Sequence, residues 1–61
     1  MKVGELVMLS AAGNKVKLNR FISPEAVGYI NKDTDDNLYY VKWFDHHPET
    51  LHYRYELRRA K

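Results

Sequence analysis

The sequence predicts a small all-β protein, and three observations lead to that prediction. Apolar and aromatic residues recur with the two-residue period of strands, most clearly in LYYVKWF at residues 38–44. Clusters of Gly, Pro, Asp and Asn separate these stretches, as turns do. No segment is predicted as a helix long enough to cover a sheet. Because so small a sheet hides its edges by folding over on itself, we expect a five-stranded barrel with a long first loop and a C-terminal single helical turn.

The length and composition indicate a single domain over residues 1–61. The chain has 61 residues, 44% of them apolar, which is enough for a core but close to the lower limit for one that is stable alone. Cysteine is absent, so neither a disulfide nor a thiolate metal site can reinforce the fold. No apolar run approaches the roughly 20 residues of a membrane span, and the N-terminus does not resemble a signal peptide. We therefore expect a soluble cytoplasmic protein without a membrane partner.

The first strand is predicted at residues 5–10. Its alternation places Val7 and Leu9 on one face, which we assign to the core, and Leu6 and Met8 on the other. The two faces of this strand therefore differ in their expected burial.

The long first loop follows, and it mixes small, basic and isolated apolar residues. Gly13 and Asn14 form a turn signal within it. The alternation of Val16 and Leu18 favours a short strand in a hairpin whose tip is that turn.

The second strand is predicted in AVGYINK, residues 26–32. Gly28 weakens a strand unless another backbone or ring packs close to it, so we expect a crossing point or a bulge there. The polar stretch DTDDN then forms a turn in which Asp and Asn side chains bond their own backbone.

The third strand, LYYVKWF, has the strongest strand signal. Tyr39, Val41 and Trp43 share the face that we assign to the core, so Tyr40 and Phe44 point outward. This assignment leaves large aromatic side chains on the solvent side of the sheet.

The fourth strand is predicted in TLHYR, residues 50–54, after a break at Pro48. Leu51 is on the face opposite His52. The final segment, YELRRAK, is too short for a stable isolated helix, and we expect one helical turn with Leu57 closing the end of the barrel.

Four short motifs carry a resemblance to a known fold family. They are VGELVML, VGYI, YYVKWF and YRYELRR, in that order. This order resembles that of small SH3-like barrels, most of all the short barrels encoded by bacteriophages and bacteria, and more distantly the photosystem I accessory subunit of cyanobacteria. The resemblance covers nearly the whole chain and implies an accessory protein in the cytoplasm of the host cell. The first loop lacks the acidic and aromatic residues with which signalling SH3 domains bind proline-rich peptides, so that activity is not implied.

Residue types for catalysis are few. Neither Ser10 nor Ser23 lies in a Gly-x-Ser-x-Gly elbow, and Gly-rich phosphate motifs are absent. A barrel of this size does not easily enclose a substrate. We therefore expect a non-enzymatic protein without catalytic residues or a cofactor.

The histidine turn contains residue types that bind metal ions, but this signal is weaker than those for protein or nucleic-acid binding. Asp45, His46, His47 and His52 are of metal-ligand types, but their spacing matches no known site, so a solvated turn is the default interpretation. Residues 33–37 resemble the start of a calcium loop, yet Leu38 stands where that loop needs Gly. No metal site is predicted.

The outward aromatic residues favour a protein-binding surface. Monomers tend to avoid exposed apolar patches, and interfaces are enriched in Tyr, Phe and Arg. The predicted partner-binding residues are Tyr29, Tyr40, Phe44 and Arg54. The partner is either another protein or a second copy of the chain.

An alternative reading covers this surface instead of exposing it. In that case the first loop folds over Tyr40 and Phe44 through Leu18, Phe21 and Ile22. The sequence alone leaves both readings open.

The basic residues predict an alternative function, nucleic-acid binding. Cations contact phosphates, and exposed rings stack on bases. The candidates are Lys15, Lys17, Arg20, Lys42, Arg58 and Arg59. Ten basic residues against eight acidic ones leave a net charge of only +2, and the acids are interspersed, which is more typical of a solvated surface. Protein binding is therefore the preferred prediction.

Overall fold

Five antiparallel strands in one sheet form the protein, and this confirms the all-β prediction. A computed structural model describes residues 1–45 and 48–60. The strands are β1 (Leu6–Leu9), β2 (Gly28–Asp33), β3 (Leu38–Trp43), β4 (Thr50–Tyr53) and β5 (Leu57–Arg59). Their order across the sheet is β4-β3-β2-β1-β5. Each strand therefore lies beside its neighbour in sequence, except β5, which returns to pair with β1.

Short helical turns occupy two of the connections. They are α1 (Ala11–Asn14), a first 3-10 turn (Lys17–Asn19) and a second 3-10 turn (Arg54–Glu56). None of the helices within residues 1–45 and 48–60 has the length and apolar character that a membrane crossing requires.

The predicted hairpin in the first loop is wrong, because this loop is helical where Val16 and Leu18 suggested a strand. Ser10 caps α1, and its Oγ accepts a hydrogen bond from the Gly13 N–H at 3.0 Å. The same hydroxyl donates to the Tyr55 carbonyl oxygen at 2.6 Å. Ser10 therefore both starts the helical turn and ties it to the β4–β5 connection.

The C-terminal segment contains the predicted single helical turn and also a strand that was not predicted there. The second 3-10 turn ends at Glu56, and Leu57 begins β5, where it pairs with Leu9 and is buried. The fifth strand therefore lies at the C-terminus, where pairing with β1 covers an edge that would otherwise be open.

The core lies on one face of the sheet, as the alternation predicted. Its residues are Val7, Leu9, Ile22, Ala26, Ile30, Tyr39, Val41, Trp43 and Leu57. The inward assignments of the first and third predicted strands are thus confirmed.

The first loop leaves the outward residue Phe44 exposed. Ile22 enters the core, but Leu18 and Phe21 are exposed, and the Phe44 side chain is 58% exposed. The alternative in which these loop residues shield Phe44 is therefore wrong.

Gly28 is needed because β3 lies close against it. A Cβ at this position would lie 2.6 Å from the Lys42 carbonyl oxygen and 3.0 Å from Val41 Cγ1. The predicted close approach is confirmed, while the irregularity in register occurs between Ile30 and Lys32.

The β2–β3 turn has the predicted side-chain chemistry. Asp35 and Asn37 adopt left-handed backbone angles, with φ of 68° and 61°. The Asp33 carboxylate accepts a hydrogen bond from the Asp35 N–H at 2.9 Å. These contacts fix the acidic turn at one end of the sheet.

Gly13→Ala tests how closely α1 lies against the second 3-10 turn. An added Cβ would collide with the Glu56 carbonyl oxygen. In a helix free of such contact, Ala is favoured over Gly by about 1 kcal/mol. We expect instead that overpacking lowers the free energy of unfolding by about 1–3 kcal/mol, measured by urea denaturation. Ala12→Ser, at an exposed position of the same turn, is the control, and a Gly13→Ala variant at least as stable as the native protein would contradict the packing.

Candidate functional site

A shallow apolar groove lies between the first loop and the chain that joins β4 to β5. It has a volume of about 310 Å³ and is lined by Val16, Leu18, Asn19, Leu38, Leu51, Tyr53, Tyr55 and Glu56. Leu18 is 89% exposed, Tyr53 51% and Tyr55 60%. Large apolar side chains that cluster in solvent mark a surface for interaction.

Strand alternation on β4 builds one wall of the groove. His52 is buried, so its neighbours Leu51 and Tyr53 point outward. The β3–β4 register sets Leu38 opposite Tyr53. The Tyr53 and Tyr55 rings stack with a centroid distance of 5.8 Å and an interplanar angle of 17°. The result is an aromatic wall beside the aliphatic Leu18.

A buried carboxylate lies beneath this groove. Glu56 is 6% exposed, and its Oε1 is 3.0 Å from Asn19 Nδ2 and 2.9 Å from His52 Nδ1. Its Oε2 accepts a hydrogen bond from the Tyr53 N–H at 3.2 Å, which is the contact of an N-terminal capping box. Asn19 also donates to the Gly13 carbonyl oxygen at 2.8 Å. One carboxylate therefore joins the first loop, β4 and the second 3-10 turn.

The network continues from His52 into the core. His52 Nε2 lies 2.6 Å from Thr50 Oγ1, and Trp43 Nε1 donates to the same hydroxyl at 2.7 Å. An ionised carboxylate only accepts, so His52 Nδ1 carries a hydrogen and donates it to Glu56. The order hydroxyl, imidazole and carboxylate is that of an activated nucleophile. However, His52 is 1% exposed, which suits it to holding strands together.

The pKa of Glu56 reflects two opposed effects. Burial raises this pKa, whereas hydrogen bonds from Asn19, His52 and the Tyr53 N–H lower it. The lowering by the hydrogen bonds together exceeds the increase from burial, so the pKa lies below the usual range. The carboxylate of the folded protein is therefore ionised at neutral pH.

The predicted partner-binding residues lie in two places. Tyr29 and Phe44 contact each other on the outward face, with ring centroids 5.6 Å apart. Tyr40 is paired with Leu51, which lines the groove. Arg54 lines a depression beside the groove and donates to the Leu57 carbonyl oxygen at 3.0 Å. The structure thus places Tyr40 and Arg54 near the groove and Tyr29 with Phe44 in a separate patch.

The predicted nucleic-acid residues lie on three parts of the molecule. Lys15, Lys17 and Arg20 belong to the first loop, Lys42 to the outward face of β3, and Arg58 and Arg59 to β5. Two of them are already engaged, because Arg59 pairs with the Glu5 carboxylate and Arg20 lies 4.8 Å from the Phe21 ring centroid. The six residues therefore come from three separate elements of the fold.

The hypothesis of a metal at the histidine turn falls on His46 and His47, which lie outside the described residues. Across residues 1–45 and 48–60, no group of three or more His, Cys, Asp or Glu is placed to hold a metal ion. His52 belongs instead to the network beneath the groove.

Sequence reasoning missed the groove and the network below it. Leu51, Tyr53 and Tyr55 do recur at every second residue, which is a usable signal for one exposed row. Apolar content alone favours this row as the inward one. It points outward because His52 has hydrogen-bond partners at both ring nitrogens in the interior.

Glu56→Gln is expected to lower the free energy of unfolding by about 1–3 kcal/mol at pH 7, because an amide cannot accept from all three donors and leaves a buried polar group unsatisfied. Chemical denaturation measures the change. Glu25→Gln removes an exposed carboxylate and is the control, with an expected change within about 0.5 kcal/mol. Equal stability of the Glu56→Gln variant and the native protein would show that the network is not needed.

The same pair of proteins gives a pH test. Since the pKa of Glu56 is lower in the folded state, its stabilising contribution is complete above the ordinary Glu value of 4.5 and is lost as the pH falls through the folded-state pKa. The native protein should therefore lose more stability than Glu56→Gln does over this acid range. Parallel pH profiles for the two proteins would contradict this assignment.

Comparison with known proteins gives no match to a family model, a curated protein or a solved structure. The function is therefore inferred from the groove, the network beneath it and the outward face of the sheet.

Proposed function

We propose that the protein is a non-enzymatic interaction module that binds a segment of another protein in the groove. The observation that carries this proposal is the cluster of exposed apolar side chains formed by Leu18, Leu51, Tyr53 and Tyr55. Apolar groups that stay exposed contribute no hydrophobic free energy to folding. A partner that covers them removes them from water, and this removal stabilises the complex. Tyrosine is among the residues that contribute most to protein interfaces.

Preorganisation of the groove supports the same proposal. Asn19 is adjacent to Leu18 and donates to Glu56, and Glu56 is adjacent to Tyr55. Both walls are therefore held from below by buried hydrogen bonds. A surface that is ordered before binding loses less conformational entropy when a partner docks.

The burial of His52 supports a role without catalysis. A general base has to come within hydrogen-bond reach of a substrate, and His52 is 1% exposed with both ring nitrogens engaged. We assign Thr50, His52 and Glu56 to the stability of the site.

The SH3-like barrel is proposed as the fold family. The strand order, the 3-10 turn between β4 and β5 and the one-sided core support it. The proposed setting, an accessory protein of a bacteriophage or bacterium in the cytoplasm, rests on the resemblance of the sequence motifs.

A second candidate, binding of single-stranded nucleic acid, is favoured by one observation. On the outward face, the register pairs Lys42 with Tyr29 and Lys32 with Tyr40, so each basic residue is the cross-strand neighbour of an aromatic one. Such binding would weaken steeply with salt, since counterions are released from the phosphates.

Selection from a random-peptide display library tests the proposed function. We expect peptides whose affinity falls about tenfold in Leu18→Ala or Tyr55→Ala, which corresponds to about 1.4 kcal/mol per truncated anchor. Phe44→Ala, an exposed aromatic outside the groove, is the matched control and should bind as the native protein does.

Two results would contradict the proposal. One is the failure of any peptide to bind in a way that depends on Leu18 or Tyr55. The other is a stable oligomer in light scattering at low and high salt that Phe44→Ala dissolves, because this result would assign the interaction to self-association through the Tyr29 and Phe44 patch.

A further inference from the structure

We infer that the groove selects an extended protein segment with an acidic side chain next to its apolar residues. This inference rests on the proposed function and specifies the class of partner. It follows from the distribution of charged residues on the first loop and on the β2–β3 turn beside the groove.

The first-loop wall is basic. Lys17 lies between the groove residues Val16 and Leu18, and Lys15 and Arg20 flank them; all three cations are exposed. Residues 6–24 contain these three basic residues and no Asp or Glu. In the described part of the chain, neither Lys15 nor Lys17 forms an ion pair with a carboxylate. An acidic side chain of a bound segment would therefore meet cations that have no such partner among the described residues.

The β2–β3 turn beside the groove is acidic. Asn37 lines the depression next to Tyr53, and its carbonyl oxygen accepts a hydrogen bond from the Arg54 N–H at 2.8 Å. This bond fixes the β2–β3 turn beside the groove. The turn carries three exposed carboxylates, Asp33, Asp35 and Asp36. A segment bound in the groove therefore has cations of the first loop and carboxylates of this turn as neighbours.

This polarity favours a protein segment over a nucleic acid. A phosphodiester backbone has negative charge at every unit, so any unit that lies near the acidic turn would be repelled. A peptide can place one carboxylate near Lys17 and a neutral or basic residue near the turn. The aliphatic side chains of Leu18 and Leu51, which line the groove, suit apolar residues of the same peptide.

Peptide selection on two charge-reversed proteins tests the inference. The native protein should enrich peptides with Asp or Glu beside an apolar residue. Lys17→Glu should weaken these peptides about threefold or more, since an exposed attraction becomes a repulsion, and should enrich peptides with Lys or Arg in their place. Lys2→Glu makes the same change in net charge at an exposed position outside the groove and should leave both the affinity and the selected sequences unchanged.

The outcomes separate this inference from the proposed function. Peptides that need Leu18 and Tyr55, but show no acidic preference and bind Lys17→Glu normally, would overturn the inference and leave the proposed function standing. An absence of groove-dependent peptides would overturn both. Tight binding of a single-stranded oligonucleotide that Lys17→Glu weakens would also overturn the inference, in favour of a nucleic-acid partner.

Discussion

An ionised carboxylate inside a 61-residue protein is costly unless its oxygens find hydrogen-bond donors, and Glu56 finds them in separate segments of the chain. Asn19 comes from the first loop, His52 from β4 and the Tyr53 N–H from the start of the second 3-10 turn. Losing any one donor leaves a buried charge less satisfied, so the three segments are held together. This requirement fixes the position of the first loop. Packing of apolar residues alone would not place the loop there, because Leu18, the neighbour of Asn19, stays in solvent.

The network also lies between the core and the surface that we propose binds a partner. Below it, Trp43 and Thr50 continue the hydrogen bonds into the apolar core. Above it, Tyr53 and Tyr55 stack on the outside, opposite Leu18 across the groove. In the described part of the chain, every buried side-chain nitrogen and oxygen has a hydrogen-bond partner. The groove is therefore built on an interior whose polar groups are hydrogen-bonded, and its apolar walls remain exposed.

Much of the sheet could be predicted from the sequence, because strand alternation alone decides which face is buried. Val7, Val41 and Trp43 point inward as predicted, and the constraint at Gly28 follows from its lack of a side chain. The first loop was mispredicted because an alternation of only two apolar residues does not distinguish a strand from a 3-10 turn. The groove could not be predicted because it depends on a contact between Asn19 and Glu56, which are 37 residues apart. Local periodicity carries no information on such a pair, nor on the inward position of His52.

The most direct test of the role of Glu56 is backbone amide hydrogen exchange, compared between the native protein and Glu56→Gln at one pH. If the carboxylate holds the first loop in place, the amides of Gly13, Asn19 and Ile22 should exchange much faster in the variant, while those of β2 and β3 keep most of their protection. A uniform increase across the whole chain would mean that Glu56 contributes only to global stability. Unchanged exchange in the first loop would contradict the central claim that this carboxylate builds the groove.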